Sequence, residues 1–242
     1  MSFLDKIKDF VKKFLFSSKW TCNVCGKEIF DGKYFCEECE KSFPFNDESI
    51  CDHCGRKVKS PTNYCLTCKE RLLSVDMARS VFVYDKPIKQ LIKGAKYDQK
   101  KYLLEVFVNY LATVYSKNFL KADYLTYIPM TENALKKRGY NQSQVMCELL
   151  SQKVGVGSVD CLVKTVDTDR QATLDRKGRI QNLKGVFKVI NKKQIKDKSI
   201  VIVDDVTTTG ATAEVVASQL KKAGAKAVYL LTVASVPSKD GL

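Results

Sequence analysis

The sequence predicts an α/β domain with a mainly parallel sheet covered by helices, preceded by a small cysteine-rich module. Two observations predict it. From about residue 80 to residue 234, short β-branched runs alternate with helical patterns, the order expected of a sheet with helices packed on it. Eight of the ten cysteines lie before residue 69, in a stretch too poor in aliphatic residues to bury a core unaided.

Taken in order, Phe3, Leu4, Ile7, Phe10, Val11, Phe14 and Leu15 recur at helical spacing opposite Lys6, Asp9, Lys12 and Lys13. This predicts an amphipathic helix over 1–19. Its apolar face either docks on the chain's own core or meets a partner or membrane surface. The cysteine module spans 20–73, with a helical linker expected over 69–76, and the α/β domain spans 74–242. Strands are expected at 80–84, 123–128, 159–165, 187–190, 200–203 and 227–234. Helices are expected at 86–94, 99–117, 141–153 and 213–223, the last stopped by Gly224, a suitable residue just past a helix end. Residues 166–182 are polar and basic without an apolar period, so they read as a long loop.

The net charge of +14 is unevenly placed. Residues 1–73 hold 13 Lys and Arg against 11 Asp and Glu, a balance of +2, whereas residues 74–242 hold 28 against 16, a balance of +12. A basic α/β domain suits anionic ligands, from a pyrophosphate to a nucleic-acid backbone, although lysine excess also serves solubility alone. The single histidine, His53, falls in the cysteine module. The α/β domain therefore has no Ser-His-Asp or Cys-His machinery and no histidine base. No apolar run reaches the roughly 18 residues of a membrane span. The N-terminal lysines lie inside the apolar stretch, so no secretory signal is expected and the cytoplasm is the expected compartment.

The cysteines form four pairs with one spacing: Cys22/Cys25, Cys36/Cys39, Cys51/Cys54 and Cys65/Cys68. The second two pairs repeat the first two at an offset of 29 residues, and Gly26/Gly55, Lys27/Arg56 and Phe35/Tyr64 follow the same offset. A two-residue gap lets one turn aim both sulfurs at one ion, and two turns complete a tetrahedral Cys₄ shell. A duplicated zinc ribbon with two structural zinc ions follows, a set of disulfides being the alternative. The duplication favours sequential sites, 22/25/36/39 and 51/54/65/68, over an interleaved arrangement. Cys147 and Cys161 fall in helix and strand patterns as buried thiols.

The densest chemistry lies in 200–212, IVIVDDVTTTGAT. A continuous β-branched run suits a buried parallel strand, and it delivers Asp204 and Asp205 to the carboxyl end where α/β folds bind ligands. Thr207, Thr208, Thr209, Gly210, Ala211 and Thr212 then lead into a helix, where amides and hydroxyls can surround a phosphate. Paired carboxylates beside such a cradle suit a ligand with a vicinal diol, whose hydroxyls they accept and whose Mg²⁺ they help hold. A strand ending in a solvated acidic turn is the bland alternative.

This stretch resembles the phosphoribosyl-pyrophosphate signature of type I phosphoribosyltransferases. Three others narrow the resemblance: Tyr84-Asp85-Lys86-Pro87-Ile88 with Lys96 downstream, Arg138-Gly139-Tyr140-Asn141-Gln142, and Gln171 through Arg179 to Asn182-Leu183. With the cysteine pairs, they make the chain similar to the ComF competence-protein family, GntX-like proteins included, over roughly 20–235. The resemblance implies a type I phosphoribosyltransferase-like parallel sheet with helices on both faces behind the Cys₄ zinc-ribbon module. It makes Asp204 and Asp205 the catalytic, ribose-binding pair, Thr207 to Thr212 the 5-phosphate loop, and Ile128-Pro129-Met130 the pyrophosphate loop, with Arg138 and Asn141 nearby. Residues 166–182 would close over ligand, bringing Arg170, Arg176 and Arg179 to pyrophosphate. Where the family usually has a second proline, this chain has Thr131.

The resemblance further implies phosphoribosyl pyrophosphate or a similar sugar phosphate, with Mg²⁺, as ligand. It also implies a place in DNA uptake, where the zinc module would meet single-stranded DNA or a competence helicase. Whether the site turns over as a phosphoribosyltransferase, only binds, or regulates an assembly is open at this level, since no acceptor base and no segment that reads a nucleobase is recognisable.

Overall fold

The computed structural model describes residues 20–59, 63–70, 73–97, 100–167, 176–183 and 185–238. They fall in two compact units that divide between Phe43 and Pro44. The expected helix over 1–19 lies outside the described residues.

The first unit carries the first ribbon. Cys22 N–H donates to Lys27 O at 2.8 Å and Gly26 N–H to Cys22 O at 2.9 Å, so the chain folds back over the first cysteine pair. Gly26 takes φ +74°, a conformation that costs any residue with a Cβ. Helix α1 (Glu37–Lys41) starts after Cys36 and contains Cys39, and Phe35 meets Phe43 edge to face at 5.0 Å.

The second ribbon repeats this at the 29-residue offset and belongs to the second unit. Cys51 N–H donates to Arg56 O at 2.8 Å, Gly55 N–H to Cys51 O at 2.8 Å, and α2 spans Leu66–Glu70. The bridge Ile50↔Lys57 matches Thr21↔Glu28 residue for residue. Here, however, the knuckle is pressed on strand β1 (Met77–Val83). Ala78 N–H donates to His53 O at 2.7 Å, and a Cβ on Gly55 would lie 2.3 Å from Ala78 O, whereas a Cβ on Gly26 would meet nothing within 4 Å. Asn46 Nδ2 donates to Gly55 O (2.6 Å) and Ser80 Oγ (2.7 Å), and Asn46 N–H donates to Val81 O at 2.9 Å. Residues 44–46 thus run along the edge of the sheet.

The α/β layers follow. Helices α3 (Lys86–Tyr97) and α4 (Tyr102–Asn118) lead to β2 (Tyr124–Tyr127). Helices α5 (Glu132–Arg138) and α6 (Gln142–Val154) lead to β3 (Leu162–Lys164). Then come α7 (Arg176–Asn182), β4 (Phe187–Val189), α8 (Lys192–Ile195), β5 (Ser199–Thr207), α9 (Ala211–Lys222) and β6 (Ala227–Ser235). The main sheet has the order β1-β6-β5-β2, parallel throughout. Ile200 and Ile202 of β5 with Val228 and Leu230 of β6 pack on Val216, Ala217 and Leu220 of α9. Side chains alternate along a strand, so Tyr229 faces the other way and meets Phe119, at the end of α4, at 5.6 Å. The sheet is therefore covered on both faces, as expected of so apolar a parallel core.

Several expectations shift. β3 and β4 pair antiparallel in a separate two-stranded sheet. The described helix here spans Leu66–Glu70, and 73–76 is irregular rather than helical, because Ser74 N–H donates to Glu214 Oε1 at 3.0 Å and Asp76 N–H to Val228 O at 2.8 Å. Residues 176–182 of the expected loop are helical; Ile180 and Leu183 pack on the core, too few apolar residues to make a readable period. Helix α5, which no expectation included, is set by its ends: Thr131 Oγ1 accepts from Ala134 N–H at 3.3 Å, and Gly139 closes it at φ +83°.

Candidate functional site

The four sulfurs of Cys22, Cys25, Cys36 and Cys39 lie within 4.8 Å of one another, and so do those of Cys51, Cys54, Cys65 and Cys68. The pairing is sequential. A zinc tetrahedron with Zn–S of about 2.3 Å separates its sulfurs by about 3.8 Å; Cys25 and Cys36 stand 3.8 Å apart, Cys54 and Cys65 3.6 Å apart. Two Cys₄ clusters therefore fit two structural zinc ions, with closed shells that leave no position for catalysis. His53 is not in the cluster. Cys147 and Cys161 are buried, and burial raises both thiols, which makes them poor nucleophiles.

β5 carries Asp204 and Asp205 to its carboxyl end, at the floor of a cavity of about 630 Å³. Asp205 is buried, and one of its oxygens, Oδ2, accepts from both Lys96 Nζ at 2.5 Å and Gln142 Nε2 at 2.9 Å. Asp204 is partly exposed. Its Oδ1 accepts from Ser143 Oγ at 2.7 Å and from the Asp205 N–H at 2.9 Å. Burial and then the charge of Asp205 push the Asp204 carboxyl up to about 7, against the opposing pull of Ser143 and Lys96. Two carboxylates side by side cannot both ionise freely; Lys96 and the hydrogen-bond donors are what hold the pair.

Beyond the acids the strand turns into α9. Gly210 caps that helix at φ +74°, and Thr209 Oγ1 accepts from Ala211 N–H at 3.4 Å. The first-turn amides of a helix have no partner within it and carry its positive end. Thr212 lines the same cavity as the acids. Thr207, Thr209 and Gly210 line a narrower cleft together with Arg56, Cys54 and Cys68 of the second ribbon. Thr208 is exposed and Ala211 is buried.

The strand end at Ile128, Pro129 and Met130 forms the opposite wall, with Arg138 and Asn141. Asn141 is spent on structure: its Oδ1 accepts from Ser143 N–H (3.0 Å) to cap α6, and its Nδ2 donates to Ile128 O (2.9 Å). Arg138 Nη1 donates to Gln142 Oε1 at 2.7 Å, and its guanidinium lies over the Tyr97 ring at 5.2 Å. Thr131, standing in place of the expected proline, donates to Asp167 and caps α5. Arg176 and Arg179 fall on α7; Arg170 lies outside the described residues.

Lys96, Gln142 and Ser143 were not expected as site residues. Lys96 and Gln142 stood in the motifs that carried the resemblance, but nothing in their spacing said that both would converge on Asp205. The three come from α3 and the start of α6, and only tertiary packing brings them to β5.

Two family models match the chain: a double zinc ribbon domain over residues 11–69 and a phosphoribosyl transferase domain over residues 134–241. Among curated relatives, Competence protein F of Haemophilus influenzae is 31% identical over 105 residues, 43% of this chain and 46% of that protein. DNA utilization protein YhgH of Escherichia coli K12 is 32% identical over 109 residues, 45% and 47%. Competence protein ComFC of Streptococcus pneumoniae is 29% identical over 151 residues, 62% and 64%. The match with the first two spans about half the length of either relative. A solved purine phosphoribosyltransferase of Pyrococcus horikoshii is 22% identical over 55% of this chain and 73% of that one, with a TM-score of 0.34. With sequential Cys₄ clusters ahead of a parallel sheet that ends in paired acids, the chain carries a double zinc ribbon followed by a phosphoribosyl transferase domain and is similar to Competence protein F, ComFC and DNA utilization protein YhgH.

Proposed function

We propose that the chain binds phosphoribosyl pyrophosphate or a ribose 5-phosphate group and acts in DNA uptake. One observation carries the ligand assignment: Asp204 and Asp205 share the floor of a cavity with Thr212, at the positive end of α9. In this reading the two carboxylates accept the ribose hydroxyls and the 207–212 loop takes the 5-phosphate. Pyrophosphate lies toward Pro129 and Arg138, with Arg170 and Arg179 further cations for it. Mg²⁺, arriving with the pyrophosphate, would neutralise its charge. Lys96 holds Asp205 in place through their ion pair, and Ser143 orients Asp204. The names of the curated relatives, competence and DNA utilization, support the biological setting, and the basic α/β domain supports an anionic partner such as single-stranded DNA beside a helicase. No helix among the described residues is long and apolar enough to cross a membrane.

Turnover as a phosphoribosyltransferase is the second reading. It is favoured by the cavity volume, which falls within the roughly 300–1,000 Å³ of sites that enclose whole substrates. Asp204 and Asp205 would then serve catalysis by holding the ribose as positive charge develops on it. The test is pyrophosphate release from phosphoribosyl pyrophosphate with a panel of nucleobases. Release that depends on one base establishes turnover, and binding without release establishes a binding protein. For the DNA role, single-strand affinity of the full chain should fall steeply with salt. If it survives removal of residues 1–43, the basic α/β unit is responsible; if it vanishes, the first ribbon is. No single-strand affinity at all would contradict the DNA assignment.

A further inference from the structure

We infer that Arg56 of the second zinc ribbon is a phosphate ligand: it completes the 207–212 loop and grips the 5-phosphate of the bound sugar. The inference rests on the ribose-phosphate reading above and adds to it a residue from outside the α/β domain's own motifs.

The ribbon duplication provides a built-in control. Position 56 is the twin of Lys27, and in the first ribbon Lys27 is exposed and pairs with Glu38 at 3.6 Å. At the same offset, Glu38 corresponds to Thr67, so the second ribbon lacks that acid. Among the described residues no carboxylate pairs with Arg56, and its Nε is buried without a hydrogen-bond partner. An arginine left in this state is costly unless something else satisfies it.

The guanidinium is held beside the phosphate loop. Its Nη2 lies 3.3 Å from where a Cβ on Gly210 would stand, and Arg56 shares a cleft with Thr207, Thr209 and Gly210. Its backbone is fixed at both sides. Cys51 N–H donates to Arg56 O at 2.8 Å, and Gly55 before it is pinned by Asn46 and pressed on β1. Arg56 therefore takes its place from the sheet. Glu214 lines the same cleft, but the Ser74 N–H already donates to both of its oxygens, at 3.0 and 3.1 Å. A helix N-terminus and a guanidinium whose Nε has no partner among the described residues thus lie at one cleft. A phosphate monoester dianion matches this pair in charge and in fork geometry.

The experiment titrates ribose 5-phosphate and, separately, inorganic pyrophosphate into the zinc-loaded full chain, as wild type, Arg56→Gln and Arg56→Lys. Zinc content and melting temperature are measured on each. The expected result is a loss of at least about tenfold in ribose 5-phosphate affinity for Arg56→Gln, the scale of one charge-assisted hydrogen bond. Arg56→Lys should recover part of it, and pyrophosphate affinity and two zinc per chain should be retained. Unchanged ribose 5-phosphate affinity in Arg56→Gln overturns the inference while leaving the ribose-phosphate reading intact. Equal loss of both probes, or loss of zinc, also overturns it by showing a purely structural arginine. A wild type that binds neither probe contradicts the ribose-phosphate reading itself, and this inference with it.

Discussion

Asp205 ends a line of side-chain contacts that crosses the site. Arg138 donates to Gln142, Gln142 donates to Asp205, and Lys96 closes the line on the same carboxylate oxygen. Lys96 and Asp205 retain only 16% and 9% of their side-chain exposure, so the pair is shielded well enough that removing one partner strands the other. Lys96→Met should destabilise the fold by about 2 kcal/mol in denaturant titration. Lys96→Met with Asp205→Asn should recover part of that loss, a coupling that independent sites would not show. Asp204 adds a pH dependence. Its folded-state pKa, about 7, lies above the ordinary 3.8, so the folded state holds a proton that the unfolded state releases. Its contribution to stability is full below about pH 4 and is lost as pH rises toward 7. Asp204→Asn should therefore stabilise the ligand-free chain at pH 8 more than at pH 5, by thermal melts at both. Because the ionised carboxylate is the form that accepts hydroxyls, affinity for ribose 5-phosphate in the wild type should rise between pH 6 and pH 8. A stability gain at pH 8 paired with lost affinity would mark Asp204 as strained for function.

At the scale of elements, the two ribbons share a sequence pattern and differ in what they rest on. Gly26 and Gly55 both take positive φ, which costs an alanine roughly 1 kcal/mol. Gly55 alone also faces a backbone oxygen at 2.3 Å from its would-be Cβ, which adds an overpacking cost of about 1–3 kcal/mol. Gly26→Ala should lower stability by about 1 kcal/mol, and Gly55→Ala by about 2–4, read by chemical denaturation at fixed zinc. Equal effects would contradict the docking of the second ribbon on β1. The matched glycines were legible as a repeat; their unequal roles were not, because a one-dimensional pattern carries no information about what lies across from a turn. The same limit separates the well-read elements from the others. β5 announced itself as four consecutive β-branched residues followed by two acids and a threonine-glycine exit, and α9 by its apolar period. α5 and α7 are set by caps and by two or three contacts to the core, signals too sparse to see before the fold is known. The acids and the threonine-glycine loop were readable because they are contiguous. Lys96, Gln142 and Ser143 reach Asp204 and Asp205 from 61 to 109 residues away, so only packing reveals them.

At the scale of the whole molecule, each ribbon gathers four sulfurs around one centre, and Cys51, Val58 and Cys65 make up the buried cluster of the second. Chelation should therefore unfold the first ribbon. In the second unit it should also loosen the edge of β1, lowering the melting temperature of the α/β domain itself, since Ala78, Asn46 and Ser238 all bond across that junction. Calorimetry that shows an unaltered α/β transition after complete zinc removal would contradict this. The account as a whole depends on the carboxylate pair and the loop after it acting as one receptor for a phosphorylated ribose. The most direct measurement is a calorimetric titration of phosphoribosyl pyrophosphate with Mg²⁺ into the wild type and into Asp204→Asn/Asp205→Asn. The predicted result is saturable one-site binding by the wild type, at least about 100-fold weaker in the double variant, as expected when two charge-assisted hydrogen-bond acceptors are lost, with two zinc ions retained in both. Indistinguishable isotherms for the two proteins would contradict it.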